Sequence, residues 1–274
     1  MDSPVGGAPR CDVTTRFGDE VAVGGLGTLD FQQSISLTAD ERTAYVALAG
    51  KAMSGAPDFD IYKATRAGDS GDFGTPTRFG LDTAMPEPDV AISGDGKLMV
   101  LTRPGSGGDL DLFESDADTS GAFTTASRID AASATGLDDL YPTLAADGSA
   151  LYFSSYTDTN KNQVYVSSRI NGSFGAPALV SGINSADYEN GAVLSTDRLQ
   201  VVFSRSGQLF AGIRSSVADG FAVAPLLDVR DAVIFGQATW LSADGCHLYY
   251  QTSTYDPGNG ATLSTRIYVR SRSL

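Results

Sequence analysis

The sequence predicts an all-β fold, namely a five-bladed β-propeller with four antiparallel strands in each blade. One pattern occurs five times, and its aligned aspartates recur at intervals of 55, 52, 50 and 47 residues. A repeat of about 50 residues in an all-β sequence is typical of propellers. A segment near the N-terminus also matches the strand that the last repeat lacks. We therefore expect a single domain, residues 1–274.

The first two strands of each repeat flank an aspartate. An apolar stretch precedes it, and a stretch rich in aromatic and β-branched residues follows, as in a β-hairpin. The aligned residues are Asp40, Asp95, Asp147, Asp197 and Asp244. Three of them precede glycine, which favours a tight turn whose two central residues have positive φ. Glu41 and Arg198 replace the glycine in the other two repeats, where we expect another turn type or some strain.

The third and fourth strands follow a variable loop in each repeat. Stretches such as Asp60-Ile61-Tyr62 and Gln163-Val164-Tyr165 predict the third strand. The fourth begins at an aromatic residue about ten positions later, as expected for the outer strand of a blade. The predicted blades span residues 28–80, 81–131, 132–183, 184–229, and 230–274 together with 11–25.

The last repeat reaches Leu274 without a fourth strand, and the N-terminal segment can supply it. Residues 17–23 match residues 174–180, the fourth strand of the third repeat. This match predicts that the N-terminal strand closes the last blade and leaves no open edge. Cys11 and Cys246, the two cysteines of the chain, would both lie in that blade. They could form a disulfide in an oxidising compartment or remain two unpaired thiols.

The repeats resemble the Pro-Asp variant of the Trp-Asp repeat, as found in the TolB-like propellers of bacterial envelopes. The closest copy is Pro142-Thr143-Leu144-Ala145-Ala146-Asp147-Gly148, and Asp60-Ile61-Tyr62 supplies a second signature. The proline that precedes the aspartate in the family is replaced in every copy, by Ala39, Gly94, Ala146, Thr196 and Ala243. The resemblance implies the propeller fold. For function it implies a scaffold, a binding module or, occasionally, an enzyme.

The charge balance restricts the partners. The chain carries 19 Lys+Arg against 33 Asp+Glu, a formal net charge of −14. Such an acidic surface repels nucleic acids and anionic lipids, and no apolar run approaches the ~20 residues that cross a bilayer. We expect no nucleic-acid partner, no membrane insertion, and a monomer. The N-terminal residues lack a signal peptide, and we expect a periplasmic or extracellular protein without its targeting segment, although a cytosolic origin remains open.

Candidate site residues lie just before each predicted first strand, where they would ring one mouth of the channel. These positions hold Gln32, Glu87, Asp139, Glu189 and Gly236. Glu87, Asp139 and Glu189 could ligate Ca²⁺ through hard oxygen atoms, could act as acid and base on a glycoside, or could merely cap turns. We predict ligand binding at Gln32 and the three carboxylates, with the carboxylates as metal ligands and Ca²⁺ as the one candidate cofactor.

Variable loops border the same mouth, and loops on a rigid ring often carry binding specificity. The aromatic and amide side chains suited to a sugar or peptide are Tyr156, Asn160, Tyr255 and Asn259. These loops could equally be solvated and without function.

The preferred interpretation is an exported, non-catalytic binding or scaffold module that presents a loop-rich face to a protein, peptide or glycan. The enzyme alternative is a five-bladed glycoside hydrolase in which two of Glu87, Asp139 and Glu189 act as acid and base. A repeat lectin is a second alternative, and it predicts equivalent pockets in each blade.

Overall fold

The structure is a computed structural model that describes residues 11–27, 29–50, 57–133, 136–156, 161–226, 236–256, 258 and 260–272. Strands and turns make up these residues, so the predicted all-β class is confirmed. No helix that could span a bilayer occurs in this part of the chain.

Twenty-one strands are present in the described ranges. They are β1 (Glu20–Ala22), β2 (Phe31–Leu37), β3 (Thr43–Ala49), β4 (Asp60–Thr65), β5 (Thr77–Arg78), β6 (Val90–Ile92), β7 (Leu98–Pro104), β8 (Leu110–Asp116), β9 (Ser127–Arg128), β10 (Asp139–Leu144), β11 (Ala150–Tyr156), β12 (Asn162–Ile170), β13 (Ser173–Phe174), β14 (Ala178–Leu179), β15 (Glu189–Leu194), β16 (Gln200–Arg205), β17 (Gln208–Ile213), β18 (Ala222–Pro225), β19 (Gln237–Leu241), β20 (His247–Tyr255) and β21 (Thr262–Ser271).

Consecutive strands pair antiparallel in units that match the sequence repeats. Unit 1 contains β2 to β5, unit 2 contains β6 to β9, and unit 4 contains β15 to β18. In unit 3, β10, β11 and β12 pair in order, and both β13 and β14 pair with β12. Unit 5 contains β19 to β21, and β1 pairs with the outer edge of β21. A single parallel bridge between Phe31 and Thr265 joins units 5 and 1.

The repeated aspartate stabilises the turn between the first two strands of each unit. Its carboxylate accepts a hydrogen bond from the backbone N–H two residues later, as in Asp40 to Arg42 at 3.1 Å and Asp244 to Cys246 at 2.9 Å. Only the residue after the aspartate has positive φ, so the prediction of two positive-φ central residues is wrong. The turn instead ends in one left-handed residue. Glu41 and Arg198 adopt this conformation with φ of 57° and 60°, which costs each about 1 kcal/mol or more.

The core lies between consecutive units. In the described part of the chain it forms five apolar clusters, each built from two adjacent units. Between units 1 and 2, for example, Tyr45 and Ile61 pack with Met99, Leu101 and Phe123. The innermost strands also contact each other in the order β2, β6, β10, β15, β19 and back to β2. Each unit therefore buries both faces against its neighbours, as its two apolar strands require.

The N-terminal segment is held to the last unit. Residues 20–22 pair with β21, as the sequence match predicts. A disulfide joins Cys11 to Cys246 across a sequence separation of 235 residues. Gln200 of unit 4 holds the same segment, because it accepts a hydrogen bond from Val13 N at 2.7 Å and donates one to Cys11 O at 3.0 Å.

Candidate functional site

A cavity of about 650 Å³ opens where the innermost strands begin. Its aromatic lining residues are Phe31, Phe59, Tyr141 and Tyr255. Its amide lining residues are Gln33, Asn190, Gln237 and Gln251, and its hydroxyl lining residues include Ser204, Ser253, Thr262 and Thr265. No carboxylate belongs to the lining among the residues that the structure describes. We refer to this space as the polar cavity.

The opposite ends of the innermost strands are apolar. The aligned aliphatic residue of every unit lines one small cavity of about 40 Å³ there, and these residues are Leu37, Ile92, Leu144, Leu194 and Leu241. Trp240 lies beside them and packs edge-on against Tyr249 at 5.5 Å between ring centroids. The five units thus converge, with a polar cavity at one end of the innermost strands and apolar packing at the other.

Four of the five predicted mouth residues do not line the polar cavity. Gln32 is 4% exposed, and Glu87, Asp139 and Glu189 are fully buried. The residues one position later, Gln33, Asn190 and Gln237, face the cavity instead. Successive side chains of a strand point to opposite faces, so a register error of one residue replaces the carboxylate of Glu189 by the amide of Asn190. The carboxylates therefore do not ring the mouth, although Gly236 does line the cavity, as predicted.

The predicted loop residues have different locations. Tyr255 lines the polar cavity. Tyr156 is half-buried at the end of β11, where its N–H donates to Asp138 O at 3.1 Å, and it is not part of the lining. Asn160 and Asn259 lie outside the described residues.

Glu189 lies at the junction of units 3 and 4, in a compact ion pair. Arg205 Nε donates to its Oε1 at 2.9 Å, and Ser185 Oγ donates to the same atom at 2.5 Å. A second guanidinium nitrogen of Arg205 donates to Ile183 O at 2.7 Å. One carboxylate thus faces one guanidinium group, and the predicted mouth residue has a structural partner.

Glu87 occupies the same position at the junction of units 1 and 2, but its partner is farther away. Thr83 Oγ1 donates to it at 2.5 Å, as Ser185 does to Glu189. Arg103 Nε, however, lies 3.5 Å from Glu87 Oε1 and donates no hydrogen bond to any described residue. Burial raises the pKa of Glu87 to about 7.

Glu87 also has two acidic neighbours, Asp60 and Asp82. One carboxylate oxygen of each of the three residues lies within 4.8 Å of the others. Arg78 bridges the two aspartates, at 2.6 Å from Asp60 Oδ1 and 2.5 Å from Asp82 Oδ2. Burial, followed by the charge of Asp82, raises the pKa of Asp60. We refer to Asp60, Asp82 and Glu87 as the acidic cluster. Of the three predicted metal ligands, only Glu87 belongs to it; Asp139 and Glu189 do not.

A buried aspartate and a left-handed tyrosine lie at the wall of the polar cavity. Asp89 is 1% exposed, and its Oδ2 accepts hydrogen bonds from Tyr141 N at 3.3 Å and Thr102 Oγ1 at 3.4 Å. Burial raises its pKa to about 7. Tyr141 has φ of 56°, a conformation rare for a bulky residue, and Gly191 has φ of 59° at the same position of unit 4. Backbone strain of this kind concentrates at functional sites, and sequence patterns did not reveal it here.

Comparison with known proteins shows a propeller fold and no family. No protein-family model matches the chain, and no curated protein sequence matches it. Among solved structures, TolB from Acinetobacter baumannii is similar with a TM-score of 0.51 and 18% identity over 89% of this chain. The chain spans 55% of the length of that TolB.

Two further structures are similar over most of their own length. A thermostable family-43 glycoside hydrolase has a TM-score of 0.59 and 13% identity, covering 93% of this chain and 94% of its own. A chain of a nidogen/laminin complex has a TM-score of 0.53 and 13% identity, covering 86% and 82%. At such low identity, this likeness supports the β-propeller fold alone.

Proposed function

We propose that the chain is a five-bladed, TolB-like β-propeller formed as a single domain, with β1 as the fourth strand of the last blade. The cyclic contacts of the innermost strands support this arrangement. So does the convergence of one aliphatic residue from each unit on a single small cavity. The pairing of β1 with β21 supplies the outer strand that the last unit would otherwise lack.

We further propose that this propeller is a non-catalytic binding module whose ligand, a neutral glycan, occupies the polar cavity. The carrying observation is the lining, which combines amide and hydroxyl groups with four aromatic rings. Amides can both donate and accept hydrogen bonds, as sugar hydroxyl groups require, and aromatic faces pack against the apolar faces of sugar rings. The volume of about 650 Å³ lies in the usual range of small-ligand pockets.

The hydrolase alternative is less well supported. Glycoside hydrolysis needs two carboxyl groups that face the substrate from opposite sides. The described lining of the cavity contains none, and Glu87 and Glu189 point away from it toward Arg103 and Arg205. The repeat lectin would need equivalent pockets in every blade, whereas the polar cavity is shared by several units.

Export is part of the proposal. The Cys11–Cys246 disulfide supports a periplasmic or extracellular location, because cytosolic thiols are kept reduced. The net charge of −14 disfavours nucleic acid as a partner. The module is proposed to act as a monomer that presents its cavity face to the glycan.

The test is calorimetric titration of the purified chain with a panel of neutral oligosaccharides. Gln237→Ala removes a cavity amide and is expected to weaken binding by about tenfold, equivalent to about 1.4 kcal/mol. Gln163→Ala, which removes an amide outside the cavity lining, is the matched control and should bind as the parent does. Failure of every oligosaccharide to bind, or equal loss in both variants, would contradict the proposal. Release of nitrophenol from nitrophenyl glycosides by the parent would favour the hydrolase instead.

A further inference from the structure

The acidic cluster differs from its counterpart elsewhere in the same fold. Arg103 donates to Leu81 O as Arg205 donates to Ile183 O, and this contact aligns the two junctions residue by residue. Asp82 then corresponds to Asn184, and Asp60 corresponds to Gln163 because each precedes an aligned buried residue of the third strand. Two neutral amides at one junction are replaced by two carboxylates at the other.

The charge at the junction of units 1 and 2 is not balanced by its own residues. Three carboxylates face two guanidinium groups, those of Arg78 and Arg103. At the junction of units 3 and 4, Glu189 faces Arg205 alone, and Leu179 takes the place of Arg78. When all three carboxylates are ionised, the junction of units 1 and 2 therefore carries one excess negative charge in a largely buried place, where an uncompensated charge is costly.

A second observation concerns Asp82. Its side chain is only 7% exposed, and its Oδ1 atom is buried without a hydrogen-bond donor from any described residue. By contrast, both polar atoms of the Asn184 side chain are bonded. Its Oδ1 accepts from Val164 N at 2.7 Å, and its Nδ2 donates to Val164 O at 2.9 Å and Val180 O at 3.1 Å. A buried carboxylate oxygen without a donor is costly unless a proton or a cation satisfies it. Glu189 Oε2 is another such atom, but it belongs to no described group of three carboxylates.

From this geometry we propose that Asp60, Asp82 and Glu87 bind one divalent cation, most suitably Ca²⁺. Ca²⁺ takes six to eight oxygen ligands at about 2.3–2.6 Å, so oxygens of one coordination sphere lie up to about 5 Å apart. The three oxygens within 4.8 Å of each other satisfy this limit. Water can complete the sphere, because Asp60 is 18% exposed and the Arg78 side chain is 57% exposed.

The site lies next to the wall of the polar cavity. Asp60 follows Phe59, which lines the cavity, and Glu87 N donates to Phe59 O at 2.7 Å. A bound ion would fix β4 to the segment that enters β6, and thereby the position of Phe59. The inference does not depend on the glycan proposal, since the ion can be titrated without any sugar.

The test is calorimetric titration with CaCl₂ of the full chain after removal of metals with a chelator, together with its thermal unfolding. The parent is expected to bind one Ca²⁺ per chain and to show a higher Tm in Ca²⁺ than in chelator. Asp82→Asn reproduces the amide already present at position 184 and should fold normally. It is expected to weaken Ca²⁺ binding by about tenfold or more and to lose the Tm rise.

Glu189→Gln is the matched control, because it removes an equally buried carboxylate at the equivalent position of the other junction. It should retain the Ca²⁺ affinity of the parent. Three results would overturn the proposal: a parent with neither binding heat nor a Tm shift, an Asp82→Asn variant that binds as the parent does, or a Glu189→Gln variant that loses as much affinity as Asp82→Asn.

Discussion

The junction of units 3 and 4 and the junction of units 1 and 2 use the same backbone arrangement with different charges. In both, a buried glutamate accepts from a hydroxyl group four residues earlier and faces an arginine on the neighbouring strand. At the junction of units 3 and 4, Arg205 Nε lies 2.9 Å from Glu189 Oε1. At the junction of units 1 and 2, Arg103 Nε lies 3.5 Å from Glu87 Oε1. The comparison shows that the same backbone arrangement carries different charges in different units.

The difference follows from two substitutions in the repeat: Asp82 stands where unit 4 has Asn184, and Asp60 stands where unit 3 has Gln163. Asn184 hydrogen-bonds to the backbone of β12 through both polar atoms of its side chain, although Glu189 Oε2 at the same junction has no donor among the described residues. Asp82 has no amide hydrogens and is drawn to Arg78 instead. When ionised, the three carboxylates of the acidic cluster carry more negative charge than the guanidinium groups of Arg78 and Arg103 compensate. A position used for structure in one unit becomes a candidate binding position in another.

The largest expected effect is a difference in the free energy of unfolding between variants of Arg205 and Arg103. Arg205→Ala should lower the free energy of unfolding by about 3–5 kcal/mol, because it leaves the buried charge of Glu189 without its partner. Arg103→Ala should cost clearly less, since its Nε makes no hydrogen bond to Glu87 and Arg78 remains nearby. Chemical denaturation of both variants measures the difference. Equal losses would mean that the two ion pairs are energetically alike.

The substitutions Asn184→Asp and Asp82→Asn should change the free energy of unfolding in opposite directions. Asn184→Asp removes two hydrogen-bond donors from buried carbonyl groups and should cost about 1–3 kcal/mol. Asp82→Asn in chelator should instead raise stability, by up to about 1 kcal/mol, because it removes a repelling charge. The measurement is urea unfolding of both variants without divalent cations. A loss of stability in both would show that the aspartate is already well compensated.

The wall of the polar cavity offers a third contrast, between Gly191 and Tyr141. A Cβ at Gly191 would meet Ala238 O at 2.5 Å, and the backbone there has positive φ. Gly191→Ala should therefore cost about 1–2 kcal/mol. Tyr141→Gly should lower the free energy of unfolding by less than the usual loss of an aromatic side chain does, because glycine adopts the positive φ of this position without strain. Thermal unfolding of both variants, with glycan titration of the second, tests whether the strain at Tyr141 serves binding.

The smallest expected effect is the pH dependence of the junction between units 5 and 1. The hydrogen bond to Glu41, with Nδ1 at 2.9 Å, raises the pKa of His247 above its usual 6.5. The charges of Glu41 and Asp244 also raise this pKa, whereas burial and the charge of Arg66 lower it. A raised folded-state pKa gives stability that is fully present below pH 6.5 and is lost as the pH rises through the folded value.

His247→Gln should therefore be less stable than the parent at pH 5.5, by less than about 1 kcal/mol for this partly exposed pair, and equally stable at pH 9. Thermal unfolding across this range gives the measurement. A difference that is constant with pH would indicate that the histidine contributes by packing rather than by charge.

The sequence by itself determined the all-β class, the order of the hairpins and the pairing of the N-terminal segment, but not the bounds of the outer strands, since β5 and β9 begin four residues after the predicted aromatic residues. It could do so because these features depend on local patterns that repeat, such as an apolar stretch, an aspartate turn and an aromatic-rich strand. The match of residues 17–23 to residues 174–180 indicated the pairing of β1 with β21 without any distance information. The two cysteines pointed to the same composite unit, although the choice between thiols and a disulfide stayed open.

Only the tertiary structure decided which side chains face the cavity and which carboxylates share a junction. Alternation along a strand places Glu189 inside the wall and Asn190 in the cavity, so a shift of one residue reverses the chemistry of the site. The acidic cluster joins Asp60 to Asp82 and Glu87, which lie about half a repeat further along the sequence. Sequence spacing cannot reveal such a group, because the distance between its charges depends on how neighbouring units pack.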